Sequence, residues 1–211
     1  MSHKYVTPYP HYIYCMGIIS LETVKRLREM TGAGIVDVKK ALEEGKGDES
    51  QAIDILKKRG VVKALKKSDR DANEGMIVSY VHSNGRIGVL VKLLCETDFV
   101  ARNESFHTLG KDIAMHVAAM NPRVISPDEI SEAEVERERT IWQEQLVSEK
   151  KPESIRENIL RGKEKKFREE SALLTQPFVK DSSKTVGDLI TESIAKIGEN
   201  IRVGGFTRFD L

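Results

Sequence analysis

Apolar residues recur at steps of three and four through the first sixty positions, at steps of two through the next thirty-odd, and at helical steps again over most of the remainder. Ser20 can cap a helix that carries Leu21, Val24 and Leu27 on one face, with Glu22 suited to its positively polarised first turn. Thr31-Gly32-Ala33-Gly34 breaks this pattern. A second helix is predicted from about Ile35 to Glu44, with Ile35, Val38, Ala41 and Leu42 inward and a stop at Gly45 and Gly47. Asp48 with Gln51 three residues on has the form of a capping box, and opens a third short helix through Ala52, Ile53 and Leu56 that ends at Gly60. A three-helix module over residues 18–60 follows. Residues 61–73 read as a basic linker helix. The basic run Lys57–Arg70, with Lys57, Lys58, Arg59, Lys63, Lys66, Lys67 and Arg70, is either a solvated spacer or a phosphate-binding patch, and the lack of interleaved aromatics favours the spacer.

The period changes to two at Met76. Met76–Val81 and Ile87–Glu96 flank His82-Ser83-Asn84-Gly85, and Asn-Gly favours a hairpin because both residues tolerate positive φ. The second strand would turn Val89, Val91, Leu93 and Cys95 to one face and Leu90, Lys92, Leu94 and Glu96 to the other. Asn103 can cap the next helix, whose Phe106, Leu109, Ile113 and Val117 share a face until Asn121-Pro122. Thr97 to Arg102 is therefore a strand-to-helix corner. Charged sequence over about 128–171, with Val135, Trp142, Leu146, Ile155, Ile159 and Phe167 as sparse apolar points, predicts an antiparallel helical hairpin. Thr185–Ile197 reads as an amphipathic helix and Ile201–Phe209 as a strand interrupted by Gly204-Gly205. The expected fold is α+β: a three-helix bundle, then a core over 74–211 with a small antiparallel sheet completed from the C-terminus.

Composition narrows the function classes. The 211 residues include 34 basic and 33 acidic side chains, a net charge of +1, so no global field draws in nucleic acid. Cys15 and Cys95 fit no metal-ligand spacing, which implies a reducing, cytoplasmic setting with no structural metal. The apolar run Tyr12–Ile19 is too short to cross a bilayer. Residues 1–17, with four tyrosines around Pro8 and Pro10, are set apart as an extension expected to be disordered.

No GxxxxGK[ST], strand-linked GxGxxG, HExxH or GxSxG occurs. His82 and His107 stand beside no nucleophile motif and read as surface histidines, and Cys95 as core packing. No cofactor and no covalent chemistry are expected. At the corner, Thr97-Asp98-Phe99-Val100 can be read as a turn former with a core anchor, or as an acidic and an aromatic side chain offered to a partner.

Leu27-Arg28-Glu29-Met30-Thr31-Gly32-Ala33-Gly34, followed by Asp37-Val38-Lys39-Lys40-Ala41-Leu42, closely resembles the N-terminal module of the elongation factor Ts family. The likeness continues through Glu96–Arg102, Asp112–Pro122, Gln176–Asp181, Thr185–Leu189 and Lys196–Ile201. It implies a ubiquitin-associated-like bundle, a linker and an α+β core that act as a guanine-nucleotide exchange factor on elongation factor Tu. In that family the corner, here Thr97, Asp98, Phe99 and Val100, dislodges the partner's Mg²⁺. The resemblance also implies that Arg28, Thr31, Gly32, Ala33, Gly34, Ile35 and Val36 dock on the nucleotide domain, although packing within the bundle is an equal reading for the apolar ones. Ile35, Val36 and Val38 stand where the family often has two methionines and a cysteine. A single copy of the hairpin-bearing core resembles the family's short form and implies a homodimer. Two other classes remain open from residues alone: a helical adaptor without exchange activity, and an RNA-binding accessory acting through Lys57–Arg70.

Overall fold

The computed structural model describes residues 19–211, so the extension over residues 1–17 lies outside the described residues. The chain divides into two compact units, the division falling between Arg59 and Gly60.

The first unit is helical. Helix α1 (Leu21–Thr31) starts where the Ser20 hydroxyl accepts from Thr23 N at 3.0 Å, and α2 (Ile35–Glu44) follows a three-residue turn. Helix α3 (Glu49–Leu65) starts where Asp48 Oδ1 accepts from Gln51 N at 3.0 Å. Val24, Leu27, Val38, Ala41, Leu42, Ala52 and Leu56 form the buried core, as the helical spacing requires. Two expectations need correcting. Ile35 is 47% exposed rather than inward, since as the first residue of α2 it lies a turn before the buried Val38–Ala41–Leu42 stripe, at the end of the packed face. Helix α3 also runs through Gly60 to Leu65. One interior glycine costs a helix only about 1 kcal/mol, and at Gly60 it lies beside Ala195 Cβ.

The basic stretch after α3 is no free spacer, and its helix ends at Leu65. Lys67 Nζ donates to Gly198 O, the Ser68 and Arg70 carbonyls accept from Asn200, and Ala72 is buried.

The second unit is built on a three-stranded antiparallel sheet, β1 (Glu74–Val81), β2 (Ile87–Cys95) and β5 (Arg202–Asp210), with β2 central. Ser79 faces Leu90 and Leu90 faces Thr207, a register that turns Val78, Val89, Val91, Leu93, Cys95 and Val203 inward. Helices α4 (Asp98–Ala101) and α5 (Glu104–Met120) follow β2, and α5 lays Phe106, Leu109, Ile113 and Val117 on that face. A Cβ at Gly110 would come within 2.5 Å of Val78 Cγ2, so the missing side chain sets how closely α5 approaches the sheet.

Helices α6 (Glu132–Ser148) and α7 (Glu153–Ser171) form the expected hairpin. Val135, Leu146 and Leu160 are buried, while Ile155 is exposed. Trp142 meets Phe167 edge-on at 5.8 Å, and Arg139 grips both oxygens of Glu157 at 2.9 and 3.0 Å. A two-stranded ribbon unseen in the sequence, β3 (Pro177–Phe178) and β4 (Asp181–Thr185), leads into α8 (Val186–Ile197), capped reciprocally by Thr185 and Asp188. Strand β5 is continuous through Gly204-Gly205. The irregularity is a register shift opposite Lys92 and Leu93, which absorbs the extra residue without breaking pairing.

His116 on α5 is fully buried. Its Nδ1 accepts from Val179 N at 3.2 Å, so its proton sits on Nε2, which donates to Gln176 Oε1 at 3.0 Å. Gln176 in turn donates to Glu170 O at 2.7 Å, which fixes its amide orientation. Burial lowers the His116 pKa from 6.5, opposed in part by the Gln176 bond. The unfolded chain therefore takes up more protons below pH 6.5, and stability falls as pH drops from 6.5 toward the folded-state value. Urea denaturation at pH 7 and pH 5 is expected to show this acid-side loss in the native protein and a smaller one in His116→Gln.

Candidate functional site

The corner after β2 is a single turn of helix. Thr97 keeps an extended backbone (φ −127°, ψ 154°), and its hydroxyl accepts from Val100 N at 3.3 Å to cap α4. Successive helical residues point about 100° apart, so three neighbours diverge. Val100 turns into the core and is 6% exposed, whereas Phe99 is 78% exposed and Asp98 beside it is open to solvent. Asp98 Oδ2 accepts from Arg102 at 3.0 Å across one turn, an exposed pair of a kind that holds weakly. Of the four corner residues, Asp98 and Phe99 are thus exposed, Thr97 is the cap, and Val100 is a buried anchor.

A four-residue helix cannot hold itself, since nucleation costs more than one turn of hydrogen bonds returns. The corner is held from a distant segment. Helix α8 ends in the left-handed Gly198 (φ 95°), whose N–H donates to Ile194 O at 2.9 Å. That turn brings Glu199 back across the start of α4. Glu199 Oε2 accepts from Glu96 N at 3.1 Å and from Thr97 N at 3.0 Å, and Oε1 accepts from the Thr97 hydroxyl at 2.7 Å. The exchange is returned by Glu96 Oε1, which accepts from Asn200 N at 2.6 Å. Asn200 is buried and donates its side-chain amide to Arg70 O at 2.7 Å and Ser68 O at 3.2 Å. The Cys95 thiol donates to Thr97 O at 3.2 Å, and burial, then the Glu199 charge, raises its pKa. A protonated packing residue is the result.

Residue types alone did not single out Glu199 and Asn200. An acidic residue after a helix-capping glycine is common, and nothing local reports a partner 102 positions away.

The second candidate set lies in the first unit. Gly32 takes a left-handed conformation (φ 65°) and donates to Arg28 O at 2.8 Å, ending α1. The Thr31 hydroxyl donates to Leu27 O at 2.6 Å and accepts from Ala33 N at 3.3 Å, which fixes the turn. Gly34 begins α2 and is exposed, as are Ile35 and Val36. With Met30 and Leu21, these last two are the module's large exposed apolar residues. Arg28 is also exposed, while Thr31, Gly32 and Ala33 are half-buried.

Among the described residues, no group of three or more His, Cys, Asp and Glu side chains is placed to hold a metal ion, and no helix is long and apolar enough to cross a membrane. Two depressions of about 370 and 360 Å³ lie elsewhere in the second unit, the first bordered by Ile125, Gly187 and Ile190 and the second by Thr108, Asp112 and Leu189. Neither includes a residue of the corner. The corner thus offers an exposed carboxylate and an exposed aromatic ring side by side, outside both depressions.

The family model for elongation factor TS matches residues 39–211, from within α2 to the last residue. The chain is 53% identical to elongation factor Ts of Thermosipho melanesiensis over 192 residues, which are 91% of this chain and 98% of that protein. It is 50% identical to the elongation factor Ts proteins of Oleidesulfovibrio alaskensis (93% and 99% covered) and Fervidobacterium nodosum (92% and 98%). The chain belongs to the elongation factor Ts family, and with it to the translation elongation factors.

The geometry separates neighbouring residues by their effect on folding. Phe99→Ala is expected to shift unfolding free energy by less than about 0.5 kcal/mol, as exposed positions do, whereas Val100→Ala removes buried contacts and is expected to cost about 2 kcal/mol. Chemical denaturation of the two variants checks the contrast.

Proposed function

We propose that this chain is a guanine-nucleotide exchange factor that binds GDP-loaded elongation factor Tu, loosens its Mg²⁺ and phosphate contacts and so lets GDP leave and GTP enter, with no covalent step of its own. The observation that carries this reading is the corner: Phe99 is exposed beside Asp98 on a turn that Thr97 caps and Glu199 tethers. A translational GTPase holds GDP through a phosphate loop and a bridging Mg²⁺, and release is slow while those contacts persist. Phe99 enters between side chains of the partner and shifts the helix behind its metal site. Asp98 leaves its weak pairing with Arg102, accepts hydrogen bonds from the partner and disturbs the ion's ligands. Thr97 and Val100 serve by fixing the turn.

In the N-terminal module, Arg28, Ile35 and Val36 form the docking surface. Thr31, Gly32, Ala33 and Gly34 shape the turn beneath it.

Linkage sets the thermodynamic requirement: a factor that binds the nucleotide-free partner more tightly than the GDP form weakens GDP binding by the same factor. A barrier lowered by about 4 kcal/mol would speed release roughly a thousandfold. Stopped-flow release of a fluorescent GDP analogue from elongation factor Tu is expected to be strongly slowed for both Asp98→Ala and Phe99→Ala. Wild-type exchange in both folded variants would refute the wedge, and retained binding with no release by the native protein would select an adaptor instead. Lys57–Arg70 is less suited to RNA, since Lys67 and Arg70 bond within the chain.

The homodimer reading is supported by the outer face of the sheet. Ile77, Val81, Leu90 and Phe209 lie exposed on the side away from α5, and the register sets Ser79 opposite Leu90 and Gly88 opposite Phe209. A second copy of the chain laid sheet on sheet buries this apolar patch on both molecules through one two-fold contact. Light scattering coupled to gel filtration is expected to give a dimer for the native protein and a monomer for Leu90→Glu. A monomeric native protein would exclude the pairing.

A further inference from the structure

We infer that Glu199 is a positioning residue for nucleotide release, holding Phe99 and Asp98 at a fixed attitude through Thr97, an inference that rests on the exchange reading above. Its carboxylate collects three donors at the root of the corner, the N–H groups of Glu96 and Thr97 and the Thr97 hydroxyl, at 2.7 to 3.1 Å. The last bond also acts forward. By accepting a hydrogen bond from the Thr97 hydroxyl, Glu199 orients it so that an oxygen lone pair faces Val100 N, the bond that caps α4. The attitude of the turn that carries Phe99 is thus set by a side chain that does not touch the partner-facing residues.

The foundation of that side chain is itself held. Gly198 caps α8 and accepts from Lys67 on its carbonyl, and Asn200 is bonded through its main chain to Glu96 and through its amide to Ser68 and Arg70. Residues 96–97 and 199–200 thus cross-brace each other. A wedge that enters another protein meets an equal and opposite push. Val100 resists displacement of the corner inward, whereas rotation of α4 about Val100 is opposed by the Glu199 bonds at its N-terminal end. Without them the corner still folds over Val100 but yields when loaded. Encounter with the partner survives, and the step that displaces nucleotide suffers.

The prediction is therefore a split. Stopped-flow release of a fluorescent GDP analogue from elongation factor Tu is followed at rising concentrations of the factor, at a temperature where circular dichroism shows every variant folded. Glu199→Ala is expected to lower the maximal release rate at least about tenfold while the half-saturating concentration moves less than about threefold. Glu199→Gln, which keeps an acceptor for both N–H groups, is expected to recover most of the rate. A Glu199→Ala protein with the native maximal rate, alongside a slow Phe99→Ala protein, overturns this inference and leaves the exchange reading intact. A fast Phe99→Ala protein removes the exchange reading itself. Equal losses in rate and half-saturation, or no recovery in Glu199→Gln, reduce Glu199 to a general fold contact and also overturn the inference. Should Glu199→Ala not fold, Thr97→Val compared with Thr97→Ser decides: a slow maximal rate in the first with most of it recovered in the second supports the brace, and a native rate in Thr97→Val or no recovery in Thr97→Ser overturns it.

Discussion

Everything distinctive about the corner depends on backbone N–H groups at the end of β2 that the sheet does not pair. Glu96 N and Thr97 N lie past the last ladder position of that strand, and α4 is too short to enclose them. Glu199 accepts from both. Hydrogen bonds to an ionised carboxylate are stronger than those to a neutral acceptor, so one side chain suffices to hold both groups. Because the acceptor arrives from the far end of the chain, the same bonds that satisfy the corner close the second unit, joining the strand before α4 to the loop after α8.

Much of the fold was legible because local signals agreed with tertiary packing. Ser20, Asn103 and Thr185 act as caps where the pattern places them, and the inward set Val89, Val91, Leu93 and Cys95 emerges from alternation alone. The misreadings have a common origin in the reach of neighbours. Gly60 reads as a stop because glycine is costly in a helix, yet packing beside Ala195 carries α3 across it. Ile35 fits the helical period but has no partner surface, and Leu160, rather than Ile155, anchors α7 within the hairpin. The ribbon of β3 and β4 is too short to show a period at all.

The candidate site divides along the same line. That a corner lies between Thr97 and Arg102 follows from the change of period. Which of its residues face outward does not, because a single turn offers no repeat to read. Asp98 and Phe99 are distinguished from Val100 only once α4 is seated on the core. The brace was invisible for a stronger reason: Glu199 and Thr97 are separated by 102 positions, and hydrogen bonds between such segments leave no trace in spacing. In the N-terminal module, Ile35 and Val36 are exposed rather than packed in the bundle core, which composition could not tell.

The central position of β2 has a consequence for how the molecule comes into being on the ribosome. Its partner β5 and the residue that steadies α4 are made long after it, Glu199 following Thr97 by 102 positions. Until they emerge from the exit tunnel, the central strand has a neighbour on one side only and the corner lacks its strut. Sheet and corner are thus completed together, when the segment after α8 reaches the strand before α4.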